Sequence, residues 1–386
     1  QIMDSIKEAA DVNVELLHRY QKEMRLRKKY HNELVELKGN IRVMCRIRPA
    51  IDQDGPEPEN IISFDKTDDS IINVAYRGSK KIFELDHIFK PNATQVEVFH
   101  EVGNLITSCV DGFNVCIFAY GQTGSGKTYT MEGPPDDHGI YQRSLLKIFH
   151  EIEERKPHWN YQVFVSLTQI YNESLHDLLG KDPMAKLDIK QKKDGSGLYV
   201  PNLNIVEVKC VKDVNNILEE GGRNRTTAAT QANVVSSRSH ALLCVEVIGT
   251  NANNTATSQG KLNLIDLAGS ERVSKSGADG ERLKEAQYIN KSLSALGDVI
   301  HALRNKIAHI PFRNSKLTYL LKDSLSGNSK TLMMVQASPA EKNASETMCS
   351  LSFAQRLRTI ALGAAQKKTE SIVDVSIKQN KNAYYR

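Results

Sequence analysis

From Gln1 to Lys38 no proline or glycine breaks the chain, and Lys, Arg, Glu and Leu are frequent. Met3, Ile6, Ala10, Leu17, Tyr20, Met24 and Leu34 fall at heptad a and d positions, while Asn13, Arg27, His31 and Lys38 interrupt the same seam. The pattern predicts a helix with an imperfect coiled-coil stripe, because so polar a helix has little to bury alone. Gly39 ends it, as a glycine just past a helix does. Beyond Asn40 the texture changes to short apolar runs. Ile41–Ile47, Asn114–Ala119, Tyr161–Leu167, Ala241–Ile248, Lys261–Ile265 and Thr331–Val335 read as strands, with helical patterns around 142–154, 213–227 and 281–304. Strands alternating with helices predict an α/β domain whose central sheet is covered on both faces. The stretch from about Gly363 to Arg386 is polar and lysine-rich, so it reads as a mobile tail. Three segments follow: 1–39 as a helix, 40–362 as the α/β domain and 363–386 as the tail.

Composition narrows the class. With 386 residues, 40% hydrophobic and 25% charged, the chain is long enough for a sizeable core and unlike a disordered polymer. Six scattered cysteines without a C-x-x-C pair exclude a disulfide scaffold or zinc ribbon and suit a reducing compartment. No apolar run reaches the length of a membrane span, so no membrane insertion is expected. A start at Gln1 rather than Met suggests a piece of a longer protein. The formal net charge is +5, yet Arg272 to Lys330 alone carries 11 Lys/Arg against 5 Asp/Glu. That basic stretch on a near-neutral body fits either a solvated helical face or an acidic partner such as nucleic acid, anionic lipid or protein.

The chemistry is concentrated at Gly121-Gln122-Thr123-Gly124-Ser125-Gly126-Lys127-Thr128, a full G-x-x-x-x-G-K-S/T match after a predicted strand. Glycines there let backbone N–H groups curl round phosphates; Lys127 reaches the β/γ-phosphates and the Thr128 hydroxyl sits on Mg²⁺. A second apolar strand delivers Asp266, followed three residues later by Gly269, in Asp266-Leu-Ala-Gly269-Ser-Glu271. Asp266 suits a Mg²⁺-bound water, and Gly269 can bring its N–H to a γ-phosphate and withdraw after hydrolysis. The hydroxyl-rich run Ser236-Ser237-Arg238-Ser239-His240 can cap a turn or supply oxygens to the metal and donors to the phosphate. Arg238 and Glu271 have complementary charges, so a salt bridge between them is expected when triphosphate closes the site. No N-K-x-D follows the D-x-x-G motif, which tilts the nucleotide towards ATP.

Together with Arg46-Ile-Arg-Pro49, Phe118–Gly133 and Asn290-Lys-Ser-Leu-Ser-Ala-Leu-Gly297, these motifs resemble, in order and spacing, the signatures of a kinesin motor domain over about residues 40–362. The resemblance implies a P-loop NTPase-type core with a mostly parallel sheet, ATP and Mg²⁺ as ligands, and microtubules (tubulin) as partner. The join Glu36–Val43 resembles the neck of the C-terminal-motor, fourteenth class, which includes minus-end-directed motors. The resemblance places adenine among Arg46, Pro49 and Tyr129, Mg²⁺ against Thr128 and Ser237 with Asp266 acting through water, and Ser236, Ser237, Arg238, Gly269 and Glu271 around the hydrolytic water. Lys275, Lys291, Arg313 and Lys316 match the filament-binding region, Asn290 a coupling position, and Gly39 and Asn40 a neck lever. A homodimer through residues 1–38 and a place on the cytoplasmic cytoskeleton are implied too, and nucleic acid is not. The sequence departs from the family at Val234 and Val235, where an acidic residue usually follows Asn233, and at Gln169, commonly glutamate. Those valines give some support to a slow-turnover microtubule anchor as the alternative. A P-loop switch on another acidic polymer is a third reading, which the lack of interleaved aromatics in the basic stretch disfavours.

Overall fold

The computed structural model describes residues 41–156, 158–193, 197–230, 236–252, 256–272, 281–325, 327, 329–360, 365 and 369–370, with scattered positions between 2 and 33; the side chains of 226–230, 236, 281–283 and 369–370 are outside it. The chain divides into two compact units, 1–39 and 40–386. In the first, every described position is helical, and Ile2, Met3, Ile6, Val12 and Leu16 are exposed. Gly39, Asn40, Val234, Val235 and Lys275 lie outside the described residues.

The second unit begins with strand β1 (Ile41–Ile47), then β2 (Ile62–Phe64), β3 (Ile71–Tyr76), β4 (Ser79–Glu84) and β5 (His87–Phe89). Helix α1 (Gln95–Val110) leads to β6 (Asn114–Tyr120), the short α2 (Lys127–Met131) and α3 (Ile140–Arg155). Next come β7 (Trp159–Tyr171), β8 (Ser174–Asp177), β9 (Lys186–Leu187), β10 (Lys190–Gln191), β11 (Leu198–Tyr199), β12 (Val206–Val208) and α4 (Val211–Thr230). The rest comprises β13 (His240–Asn251), β14 (Thr257–Asp266), α5 (Glu281–Arg304), α6 (Lys316–Leu320), α7 (Lys322–Leu325), β15 (Lys330–Ala337), α8 (Ala344–Arg358) and β16 (Thr369–Glu370).

The main sheet runs β5-β1-β15-β6-β14-β13-β7-β8-β9. Its first five strands pair in parallel, as expected for an α/β core. From β14 onwards the pairing is antiparallel; only five residues separate β13 from β14, too few for the crossover helix a parallel pair needs. The sheet is therefore mixed. Strands β1, β6 and β15 are buried along their whole length, which explains their unbroken apolar runs in sequence. Helices α1, α3 and α4 pack together, as do α5, α6 and α8. Helix α1 starts at a reciprocal cap: Thr94 Oγ1 accepts from Glu97 N (3.2 Å) and the Glu97 carboxylate accepts from Thr94 N (2.7 Å).

The tail expected from Gly363 is not free throughout. Ala365 is buried, and β16 pairs antiparallel with Thr257 and Ser258 of β14, where backbone pairing overrides a polar composition. Far along the sheet, Trp159 opens β7 and stacks on Tyr161, their ring centres 6.0 Å apart. All six cysteines are free thiols.

Candidate nucleotide site

Strand β6 sits mid-sheet between β14 and β15, so its C-terminal end opens where neighbouring parallel strands also end, the usual location of ligand sites in such sheets. The chain leaves it through Gly121, whose φ of 152° and close approach to the Gln336 carbonyl leave no room for a Cβ. Gly126, at φ 100°, turns the loop into α2. Lys127 is buried, and its Nζ donates to the carbonyls of Gly121 and Gln122 at 2.9 Å each. Burial pushes its pKa down, opposed by the charges of Asp266 and Glu271.

Beside the loop, a pocket of about 530 Å³ is lined by Arg46, Arg48, Pro49, Ile51 and Ala93 and by the loop itself from Thr123 to Thr130, with Ser237 at its edge. Tyr129 is half exposed there, with the Arg46 guanidinium 5.1 Å from its ring centre. Arg46 is fixed from below by Gln95 Oε1 (2.8 Å), Thr130 Oγ1 (3.1 Å) and the Ala93 carbonyl (3.0 Å). Arg48 was not singled out in the sequence, although it lies within the quoted Arg-Ile-Arg-Pro run. It donates to the Gly124 carbonyl (2.8 Å) and grips Asp54 bidentately (2.5 and 2.8 Å), tying the pocket wall to the loop.

Thr128 Oγ1 donates to Asp266 Oδ2 at 2.9 Å, so the phosphate loop and the end of β14 meet side chain to side chain. Asp266 is almost wholly buried, yet its Oδ1 has no hydrogen-bond partner among the described residues. A hydroxyl beside an unsatisfied buried carboxylate oxygen fits an oxygen-liganded divalent cation or its bound water. Arg225 of α4 reaches the same place, 3.6 Å from Asp266 Oδ2 and 3.2 Å from Glu132 Oε1. Burial raises the Glu132 pKa and the Arg225 charge opposes the rise. Neither residue was expected, and their separation in sequence explains why.

The hydroxyl run and the D-x-x-G segment are in contact: Gly269 N donates to the Ser237 carbonyl (2.8 Å) and Ser270 N to the Gly121 carbonyl (3.1 Å). The expected Arg238–Glu271 salt bridge is not formed in this arrangement. Glu271 instead accepts from Thr123 N (2.8 Å) and Thr123 Oγ1 (2.6 Å), while Arg238 pairs with Glu285 of α5, to which Tyr171 also donates. Each charge has found a nearer partner, and the sequence, which showed only complementarity, could not rank them. His240 forms another link. Its Nδ1 accepts from Ala268 N (3.0 Å), so Nε2 carries the proton and donates to Ser292 Oγ on α5 (2.8 Å). Burial, helped by the charges of Arg225 and Lys127, lowers the His240 pKa to about 3.

Of the basic residues, Lys291 and Arg313 are exposed. Lys316 is held internally: its N–H donates to Glu173 (3.0 Å) and its ammonium to Asp188 (3.3 Å). Asn290 donates to the Ala286 carbonyl one turn back (3.0 Å).

Comparisons place this geometry among known proteins. The kinesin motor domain family matches residues 46–360. Kinesin-like protein KIN-14Q of Arabidopsis thaliana is 46% identical over 385 residues, 98% of this chain and 32% of its own length. Kinesin-like protein klp-3 of Caenorhabditis elegans is 45% identical over 357 residues, 92% of this chain and 59% of its own. A solved C-terminal motor and motor homology domain of Kar3Vik1, fused to a synthetic heterodimeric coiled coil, superposes with a TM-score of 0.82 at 43% identity, covering 92% of this chain and 95% of that one. The chain thus spans between about a third and three-fifths of the curated relatives it matches.

Proposed function

Since this chain belongs to the kinesin motor-domain family, we propose that it hydrolyses ATP, is stimulated by microtubules and moves along them, towards the minus end. The observation that carries the hydrolytic part is the meeting of Thr128 and Asp266 beside the phosphate loop, with a carboxylate oxygen left over. Thr128, Ser237 and, through water, Asp266 would hold Mg²⁺, which would neutralise phosphate charge. Gly121 to Lys127 cradle the phosphates, and Arg46, Pro49 and Tyr129 border the adenine.

Hydrolysis of this kind needs a placed water and stabilised spread charge more than a strong base. Ser236, Arg238 and Glu271 order that water, and the Gly269 N–H marks the γ-phosphate. For this, Glu271 exchanges Thr123, and Arg238 exchanges Glu285, for each other. Helix α5 carries Asn290 and Lys291, so filament contact at Lys291, with Arg313, Lys316 and Lys275, is coupled to the site through one rigid element. Gly39 and Asn40 act as a lever at the start of the core, and residues 1–38 pair with a second copy. The protein works on the cytoskeleton of the cytoplasm.

Steady-state ATP hydrolysis with and without microtubules, at low and moderate salt, tests the proposal. Strong stimulation that salt weakens is expected. Turnover that microtubules leave unchanged, despite tight binding to them, would overturn it in favour of an anchor.

A further inference from the structure

Three elements converge at one carboxylate away from the phosphates. Tyr171 is the last residue of β7, fixed by the sheet on one side and by a turn of two left-handed residues, Asn172 and Glu173, on the other. Glu285 lies on the second turn of α5, and Arg238 ends the single-turn helix Ser236–Arg238. The Glu285 side chain is 9% exposed, and both its oxygens are used, Oε1 by the Tyr171 hydroxyl and Oε2 by Arg238. Desolvation, and then the neighbouring carboxylate, push the Tyr171 hydroxyl up to about 12, so it remains a donor at any working pH.

Glu271 is equally committed, since both its oxygens accept from Thr123. Bringing Arg238 and Glu271 together therefore costs a charge-assisted bond at Glu285 and two bonds at Thr123 before the new pair forms. The holding side is the stronger at Glu285, where a guanidinium faces a nearly dry carboxylate that a neutral hydroxyl orients.

We propose that Glu285, oriented by Tyr171, is a positioning residue that parks Arg238 away from Glu271 and so restrains ATP hydrolysis until α5 moves. This rests on the functional reading above and deepens it. Glu285 sits on the same helix as Lys291, six residues earlier, so a shift of α5 under a bound filament withdraws the parking carboxylate directly. Stimulation then comes from releasing an arginine rather than from supplying a new catalytic group.

The test is the ATPase of the whole chain with MgATP and no microtubules. Glu285→Gln keeps the shape and removes the charge; basal kcat is expected to rise roughly three- to tenfold with KM for ATP unchanged, and the microtubule-stimulated rate to change less. Tyr171→Phe is expected to raise it in the same direction by a smaller factor. Placed on an Arg238→Ala background, Glu285→Gln is expected to have no effect, because the arginine it parks is gone. An unchanged or lower basal kcat in Glu285→Gln, or the same rise without Arg238, would overturn the proposal. A misfolded protein cannot turn over faster, so a rise is not an artefact of damage. If Glu285→Gln does not fold, Tyr171→Phe decides alone, a rise supporting and any other result opposing. Absence of ATP turnover in the unaltered chain would instead remove the functional reading itself.

Discussion

Two regions of the same site are built in different ways. The phosphate loop is local: eight consecutive residues carry its glycine geometry, its lysine and its hydroxyl, and the lysine bonds back to carbonyls of the loop itself. The switch region is assembled from a distance. Ser237, Ala268, Glu271, Glu285 and Ser292 come from three segments, and their contacts cross between 28 and 148 positions in sequence. A local device depends on backbone conformations that few residues adopt. A distributed one depends on which of several nearby partners binds best, and can therefore change partners. That difference suits the proposed roles, a fixed cradle for phosphates and switches that respond to what it holds.

The largest effect should separate the two regions outright. Lys127→Ala removes the loop's buried ammonium, and ATP turnover is expected to fall by about 100-fold or more, while the thermal melt shifts little because Lys127 touches only loop carbonyls. A small loss of rate would show that the loop is less self-contained than its contacts indicate. The next largest concerns His240, which ties the switches to α5. Unfolded, its imidazole takes up a proton near pH 6.5; folded, it resists until about pH 3. The unfolded chain thus binds more protons across that window, so this contribution is complete above pH 6.5 and is lost as the pH falls towards 3. Between pH 7 and 5 it amounts to about 2 kcal/mol, to be read as a lower urea midpoint at pH 5 and as a flatter pH profile in His240→Gln. The smallest effect lies on the outer side of α5. Lys291→Ala is expected to weaken microtubule binding about threefold at low salt and less at high salt. Lys316→Ala should weaken it less, because its ammonium already faces Asp188; a cosedimentation series in salt ranks the two.

What could be read from the sequence follows the same division. The strands at 41–47, 114–119 and 331–335 were legible because burial on both faces makes their apolar runs continuous. The loop was legible because its chemistry is contiguous. The antiparallel half of the sheet was harder to foresee, since strand direction depends on connection length more than on composition. The small sheet of β2, β3 and β4 went unread because β2 and β4 each bury a single residue and so leave no apolar run in the sequence. Arg225 and Glu285 carry no motif of their own; one lies 41 positions from Asp266 and the other 47 from Arg238, and only the folded chain brings them together. The Arg238–Glu271 pairing was inferred from charge alone, which says that two groups attract and not which third group reaches one of them first.

Trp159, the protein's single tryptophan, stands at the start of β7, while Tyr171 at the other end of that strand meets the switch region. Twelve residues of extended chain put roughly 40 Å between them. The tryptophan emission of this protein therefore reports on the end of β7 remote from the switch region. It leaves the spectral window at the pocket vacant, so that an indole introduced in place of Tyr129 would report occupancy there, and the two emissions could be assigned separately, one to unfolding and one to binding.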